Sequence, residues 1–508
     1  MNAAAIAQPR IERARHSPTV LLVVVCLAQF MVILDVSIVN VALPSIRGAL
    51  HFSTTGLQWV VNAYTLTFAG FLLLGGRASD LLGRRRVFLA GTALFTLASL
   101  ACALSAGREL LIGARALQGI GGAVISPASL AILTTSFAEG HDRNRALGFW
   151  GAIGGIGASS GALLGGLLTQ GLSWQWVFLV NLPVGVAVIW LGRRLIPEGR
   201  TELGHRHFDL SGALLVTAGF VAVVYGIVRT DALGWGATGV LLPIAFGLVL
   251  LLVFVAVEAR LAKAPLVPLR IFALRRLRAA NAVVLALYSG IFVMWFFLSL
   301  YVQQVLGFGA IETGLGFLPM TLTVAFASSL APRLAARFGT RWTLTAGMLS
   351  ATLGLLLLTG IHPGGSYFAD VLPGGMLAAA GLGLSLVPAT IVAVQGVPAA
   401  EAGLASGLLN TSRLLGGALG LAVLTTIATS HTHAELSAGV IPLQALTDGY
   451  GLALLVGAAI CALGGLAAAV LLREGTAINR GLQWPVGLSV EAGRVRIAAV
   501  RSRVFGRG

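Results

Sequence analysis

Residues Leu34–Pro44 read LDVSIVNVALP, and the second of them decides how the chain is read. The stretch lies in an apolar run that opens near Thr19 and carries no charge except Asp35 until Arg47. A run of about 25 residues, at about 1.5 Å rise each, is long enough to cross a bilayer, with Asp35 about two-thirds of the way through. A carboxylate at such depth costs about 2.5–3.5 kcal/mol on insertion scales. A chain this apolar could carry Leu there instead. Asp35 is therefore expected to bind or carry something; the alternative is a structural hydrogen-bonding partner for neighbouring helices.

The rest of the chain repeats the apolar theme. Of 508 residues, 57% are hydrophobic and 10% charged, whereas soluble domains run near 25% charged. Long apolar runs recur from end to end, so the expected class is an all-α polytopic membrane protein. Cys26, Cys102 and Cys461 all fall inside apolar runs, which predicts no disulfide and no metal site. The His205/His207 and His431/His433 pairs sit in predicted loops and read as solvated. Arg13 and Arg15 precede the first run as in a signal peptide, but that run is too long for one and lacks a small-residue cleavage site. It is kept as a span.

Fourteen spans are expected between Thr19 and Leu472, the fifth over Ala146–Leu168. Arg47, Arg108 and Arg229 are the only loop cations on one side; Arg115 and Arg413 lie within spans; all other Lys and Arg fall on the opposite side or in the tails. The positive-inside rule then puts both termini in the cytoplasm of a cell-membrane protein. The formal charge of +16 faces the anionic leaflet, and no nucleic-acid partner is implied.

The two ends of the chain resemble each other. GRASDLLGRRRV after span two matches PRLAARFGTRWT after span ten at an offset of 256, and Gly157 and Gly161 match Gly416 and Gly420 at an offset of 259. Both require a shift of eight spans. The solution is two parallel six-helix halves, residues 19–195 and 279–472, with two inserted helices in 196–278, a tail over 1–18 and an Arg-rich tail over 473–508. Parallel repeats place a substrate cavity between the halves at mid-membrane.

Within this frame several residues point to chemistry. Arg115 lies in LIGARALQGIGGA of span four at a depth matching that of Asp35, so the two can pair. A neighbouring arginine favours the charged carboxylate and burial favours the neutral one; that competition is what a proton-coupled switch needs. Gln118, three residues on, shares the face of Arg115. The loop GGRASDLLGRRR holds Gly76, Asp80, Gly83, Arg84 and Arg85, either a topology anchor or a latch whose ion pairs break as the halves rock. Span five is dense in glycine, including Gly157, Gly161, Gly165 and Gly166. Glycine at this density packs closely and weakens the helix. Asn62, Tyr64, Gln395 and Asn410 are candidates for lining the cavity or for helix-packing hydrogen bonds. Arg413 is left with three roles: an anion site, an internal pair, or cavity lining. No P-loop, hydrolase triad or haem motif occurs, which argues against an ATP-driven pump or an enzyme and implies no cofactor.

These motifs together resemble the major facilitator superfamily, and more narrowly the fourteen-span drug:proton antiporters of the EmrB/QacA type. LDVSIVNVALP, GRASDLLGRRR, RALQG (Arg115–Gly119), the span-five glycines, WQWVFLVNLPVG and GLASGLLNTSRLLGGALG carry the resemblance in the expected order. The span-five motif has Pro where Ala162 stands, and Ala336 replaces the acid in the second-half loop. The resemblance implies a monomeric, proton-coupled exporter of hydrophobic or cationic drug-like compounds, with Asp35 and Arg115 in proton coupling. Readings left open are a dedicated exporter of an endogenous metabolite, a nutrient importer, and a non-transporting sensor.

Overall fold

The computed structural model describes residues 18–137, 141–197, 209–260, 262, 265–397 and 401–472. Both tails, and the expectations attached to them and to His205 and His207, lie outside the described residues.

Helices are the answer a bilayer allows, because every backbone polar group must be satisfied within the chain. The long ones are α1 (Pro18–Leu50), α2 (Trp59–Leu82), α3 (Arg84–Ala103), α4 (Arg108–Ser136), α5 (His141–Gly171) and α6 (Asn181–Leu195). Then come α7 (Leu210–Leu233) and α8 (Thr238–Arg260). The remainder are α9 (Arg275–Gln304), α10 (Ala310–Phe338), α11 (Thr340–Leu358), α12 (Leu372–Val394), α13 (Ala402–Ser437) and α14 (Pro442–Leu471). Thirteen spans among the described residues are long and apolar enough to cross a membrane. Helix α5, at 31 residues, is long enough as well. Side chains obey the same rule as the backbone: Thr92 donates to Phe88 O at 2.8 Å and Thr96 to Thr92 O at 2.7 Å, each one turn back.

The internal repeat has a geometric counterpart. Gly83 (φ 103°) is the single residue between α2 and α3, and Gly339 (φ 86°) is the single residue between α10 and α11. Both lie in the left-handed half of backbone space that glycine tolerates best. The helix-packing glycines repeat too. A methyl added at Gly161 on α5 would stand 2.6 Å from Ser37 Cβ of α1; one added at Gly420 on α13 would stand 2.3 Å from Ser289 O of α9. In each half, the fifth helix is thus pressed against the first through the matched glycine.

The inserted pair forms its own hairpin. Backbones of α7 and α8 approach at Gly219 and Gly247, and Gly226 meets Val240 O. Asp209 caps α7, its Oδ1 accepting from Gly212 N and Ser211 Oγ, both at 2.8 Å. Burial alone would raise this carboxyl, but those donors outweigh it and hold it below its ordinary range. On its other side α7 bridges the halves: Thr217 lies against Gly70 of α2, and Val224 packs with Leu66 of α2 and Ala418 and Ala422 of α13. Residues such as Leu242, Phe246 and Leu252 leave α8 apolar and exposed, as a lipid-facing helix must be.

Between the halves, bonds gather at the end where α1 finishes. Ser299 donates to Asn40 O at 2.7 Å, Gln303 to Val41 O at 3.1 Å, and Arg47 to Gln304 Oε1 at 3.0 Å. Ile311 N donates to Gln170 Oε1 at 3.0 Å. A cavity of about 350 Å³ lies beside them, lined in part by Pro44, Gln170, Gln303 and Phe308.

Gly420→Ala is expected to lower stability by about 1–3 kcal/mol, because Ser289 and its backbone cannot retreat. Gly113→Ala, with nothing within 4 Å of the added methyl, is expected to be neutral or to stabilise by up to about 1 kcal/mol. Thermal unfolding of the purified variants in one detergent, followed by tryptophan fluorescence, checks both; equal midpoints would remove the role given to the glycine seam.

Candidate functional site

Asp35 is buried completely, and the first half is built round it. Arg115 NH1 on α4 donates to its Oδ2 at 2.6 Å; Oδ1 accepts from Gln118 Nε2 at 2.7 Å and from Asn181 Nδ2 of α6 at 3.1 Å. Charge-assisted bonds of this length are the strong ones. The donors are themselves held. Arg115 NH1 also reaches Gln118 Oε1 at 2.6 Å, and its Nε reaches Val60 O of α2 at 2.8 Å. Ser99 of α3 accepts from Gln118 at 2.8 Å and from Asn181 at 3.3 Å. The Tyr64 ring lies 4.3 Å from the guanidinium carbon and the Phe178 ring 5.8 Å. Five helices and the short turn holding Phe178 thus converge on one ion pair.

Local sequence explains why these groups can meet. Arg115 and Gln118 stand three apart on α4 and present one face. The opposite face of α1 is free to take α5 closely: methyls added at Gly157, Gly161 and Gly165 would strike Ile33, Ser37 and the Ile38 carbonyl respectively. Gly166 looks the other way, toward Ala310 and Ile311 of α10, where Gly314 in turn meets the Ala162 carbonyl. The span-five glycines therefore form two seams, one against α1 within this half and one against the other half.

The candidate cavity residues divide. Asn62, Tyr64 and Gln118 are 0%, 1% and 0% exposed. Tyr64 and Gln118 serve the ion pair, and Asn62 is buried with neither amide atom hydrogen-bonded among the described residues. The same cost of burying a polar group marks a network member and a cavity wall alike, which is why residue type did not separate them. Gln395 is exposed and caps the end of α12. Asn410 and Arg413 are partly exposed. Arg413 lies over the Tyr288 ring of α9 at 5.6 Å, and no carboxylate pairs with it among the described residues.

Near the end of α2, an added methyl at Gly75 would collide with Ala123 O of α4, whereas one at Gly76 would have Pro127 at an ordinary 3.6 Å. Arg85 donates to the Arg193 carbonyl at the end of α6. The side chain of Asp80, and with it the acid of the expected latch, lies outside the described residues. Arg84 engages neighbouring groups. His431 meets Glu435 at 3.2 Å within α13, and the described residues hold no cluster of metal-ligating side chains.

Asn181, Ser99 and the Val60 carbonyl were not anticipated. Asn181 sits in WQWVFLVNLPVG, which also holds the amide of Gln175, so residue type alone did not single it out.

Comparison with known proteins agrees with this architecture. Residues 25–421 match the model of the Major Facilitator Superfamily. The chain is 44% identical over 424 residues to a cephamycin export protein of Amycolatopsis lactamdurans, covering 82% of this chain and 87% of that one. It is 41% identical over 420 residues to a puromycin resistance protein of Streptomyces alboniger, covering 82% and 83%. Among solved structures it superposes on an auto-inhibited POT-family peptide transporter with a TM-score of 0.66 at 16% identity, covering 91% of this chain and 98% of that one. A bacterial homologue of the lysosomal transporter Spinster gives 0.64 at 15% identity, covering 90% and 97%; both likenesses concern the fold. A multi-pass helical chain with this family match, in which two glycine-seamed halves repeat each other, belongs to the major facilitator superfamily of membrane transporters.

Proposed function

We propose that the protein is a proton-coupled exporter of drug-like compounds that works by alternating access in the cell membrane. The observation that carries the reading is the Asp35–Arg115 pair at 2.6 Å, the one described ion pair buried within a span. Its relatives are named for the export of cephamycin and for resistance to puromycin, which supports export as the direction. On this reading Asp35 takes the proton. Protonation removes the attraction for Arg115, frees the donors on α4 and α6, and loosens α1 from its half. Return of the proton to the cytoplasm restores the pair. One proton moving down 100 mV supplies about 2.3 kcal/mol, enough to concentrate a compound about fifty-fold.

The distribution of arginines orients the chain with both termini in the cytoplasm. The end sealed by Arg47, Gln303 and Gln304 is then external, and the state described is closed outward. Opening that seal requires α5 to slide along α10, which the Gly166 and Gly314 contacts permit without side chains interlocking. A dedicated exporter of one metabolite is the second reading. It is favoured by relatives named for single compounds, among them a tetracenomycin C resistance and export protein.

In an efflux-deficient host, ethidium extrusion is expected to stop when a protonophore is added; extrusion that continues at the same rate removes proton coupling. Asp35→Asn is expected to abolish the response of ethidium flux to an imposed pH gradient in proteoliposomes while the protein still folds, since the amide is isosteric and neutral. Drug resistance equal to wild type would withdraw the role assigned to Asp35. Arg115→Gln leaves a carboxylate buried without its partner and is expected to cost about 3–5 kcal/mol, read as a melting midpoint below that of wild type; an unchanged midpoint would contradict the pairing.

A further inference from the structure

Two arginines stand inside spans, and they are treated differently. Arg115 is neutralised by Asp35. Arg413 rests on the Tyr288 ring, a contact that attracts a guanidinium but leaves its charge standing. Keeping an uncompensated cation at this depth is costly unless water or a ligand reaches it.

Its surroundings show which way it points. On α13, Leu415, Ala418, Leu419 and Ala422 pack toward α7 with Val224. Ser412 donates to Asn281 Oδ1 at 2.7 Å, and Gly416 and Gly420 press on Leu285 and Ser289, all on α9. Leu414 packs into the core of the first half. At about 100° per residue, Arg413 therefore faces away from α7, into the angle between α9 and the first half. Ser406 and Asn410 share that face at helical spacing. Ser406 is exposed, and Asn410 is partly exposed with no hydrogen bond among the described residues. Beyond Arg413 the face closes at Gly417, where an added methyl would stand 3.2 Å from the Phe292 ring. A hydroxyl, an amide and a guanidinium thus form a polar line that ends under an aromatic lid.

We propose that Arg413 binds the carboxylate, or an equivalent acidic group, of the transported compound, with Asn410 as a second donor one turn away, and so selects acidic amphiphiles. This rests on the exporter reading and narrows its substrate class, away from the cationic compounds that the resemblance implied. Asp35 does not oppose it, being fully buried and paired. The formal charge that this face offers a ligand is positive. The apolar body of the ligand would lie along Tyr288 and Phe292. Guanidinium chemistry serves a lipid phosphate equally well, so the test must separate the two.

Full-length protein is reconstituted in phosphatidylcholine vesicles under an imposed pH gradient, and initial fluxes of cefoxitin, a free carboxylate, and of its methyl ester are compared. Arg413→Gln is expected to lower the acid-to-ester flux ratio about tenfold or more, the scale of one charge-assisted contact; Arg413→Lys is expected to keep most of it. Asn410→Asp, which neutralises Arg413 in place, is expected to lower the ratio as well and serves if Arg413→Gln does not fold. A ratio unchanged in both variants, or acid and ester falling in proportion, overturns the proposal. Loss of the wild-type acid preference on adding phosphatidylglycerol gives the site to a lipid headgroup and overturns it too. Wild type that moves ethidium but not cefoxitin defeats this assignment alone, whereas wild type that moves none of the three defeats the exporter reading beneath it.

Discussion

A carboxylate in hydrocarbon must be answered by charge and by hydrogen bonds, and that demand shapes the first half of the molecule. One arginine supplies the charge, two amides supply further donors, and a serine and a backbone carbonyl hold those donors in turn. Removing either member of such a buried pair leaves the other uncompensated, at about 3–5 kcal/mol. The pair is a poor source of stability compared with packed apolar residues and a good source of specificity. It fixes the mutual rotation of α1 and α4 and brings α3 and α6 into register. On the proposed reading, a proton arriving at this network would break it, which is the property a coupled transporter requires.

Glycine does the complementary work. Polar groups clamp one side of α1, while on the other side α5 approaches so closely that no Cβ fits at Gly161. Smooth backbone contacts of this kind hold by van der Waals packing, since lipid gives apolar side chains no reason to prefer protein. They also offer little resistance to sliding. The α5–α10 contact, with Gly166 and Gly314 against opposing carbonyls, is built the same way across the two halves. Helix α1 is thus held by polar bonds on one side and by bare backbone packing on the other.

Much of this was legible in the residues, for identifiable reasons. Depth along a span follows from rise per residue, so Asp35 and Arg115 could be matched before any contact was known. The repeat was legible because turn glycines are required by backbone geometry: Gly83 and Gly339 sit at matching places with matching φ. The partners of the pair were not legible. Ser99 and Asn181 look like ordinary span residues, and one-dimensional periodicity does not say which helices touch. Asn62, Tyr64 and Gln118 were read as possible cavity lining because a polar group among apolar ones signals cost but not its remedy, which for Gln118 is a set of neighbouring side chains. Gln395 stands one residue past the end of α12 and is exposed.

The repeat makes the unequal distribution of charge informative. Ser289 meets Gly420 in the second half as Ser37 meets Gly161 in the first, so the residue two before each is equivalent. In the first half it is Asp35; in the second it is Leu287, fully buried. A duplicated scaffold thus holds an ion pair in one copy and an apolar core in the other, while the second copy places its cation, Arg413, partly exposed on the fifth helix. Packing does not demand this difference, because the same glycine seam closes both halves. On the proposed reading the difference is functional. A proton site must be shielded from water until the halves rock, so it belongs inside one bundle. A substrate site must be reached by a bulky ligand from the cleft, so its charge belongs on a helix edge. Placing the two in different halves lets one event loosen a bundle without touching the group that grips the cargo.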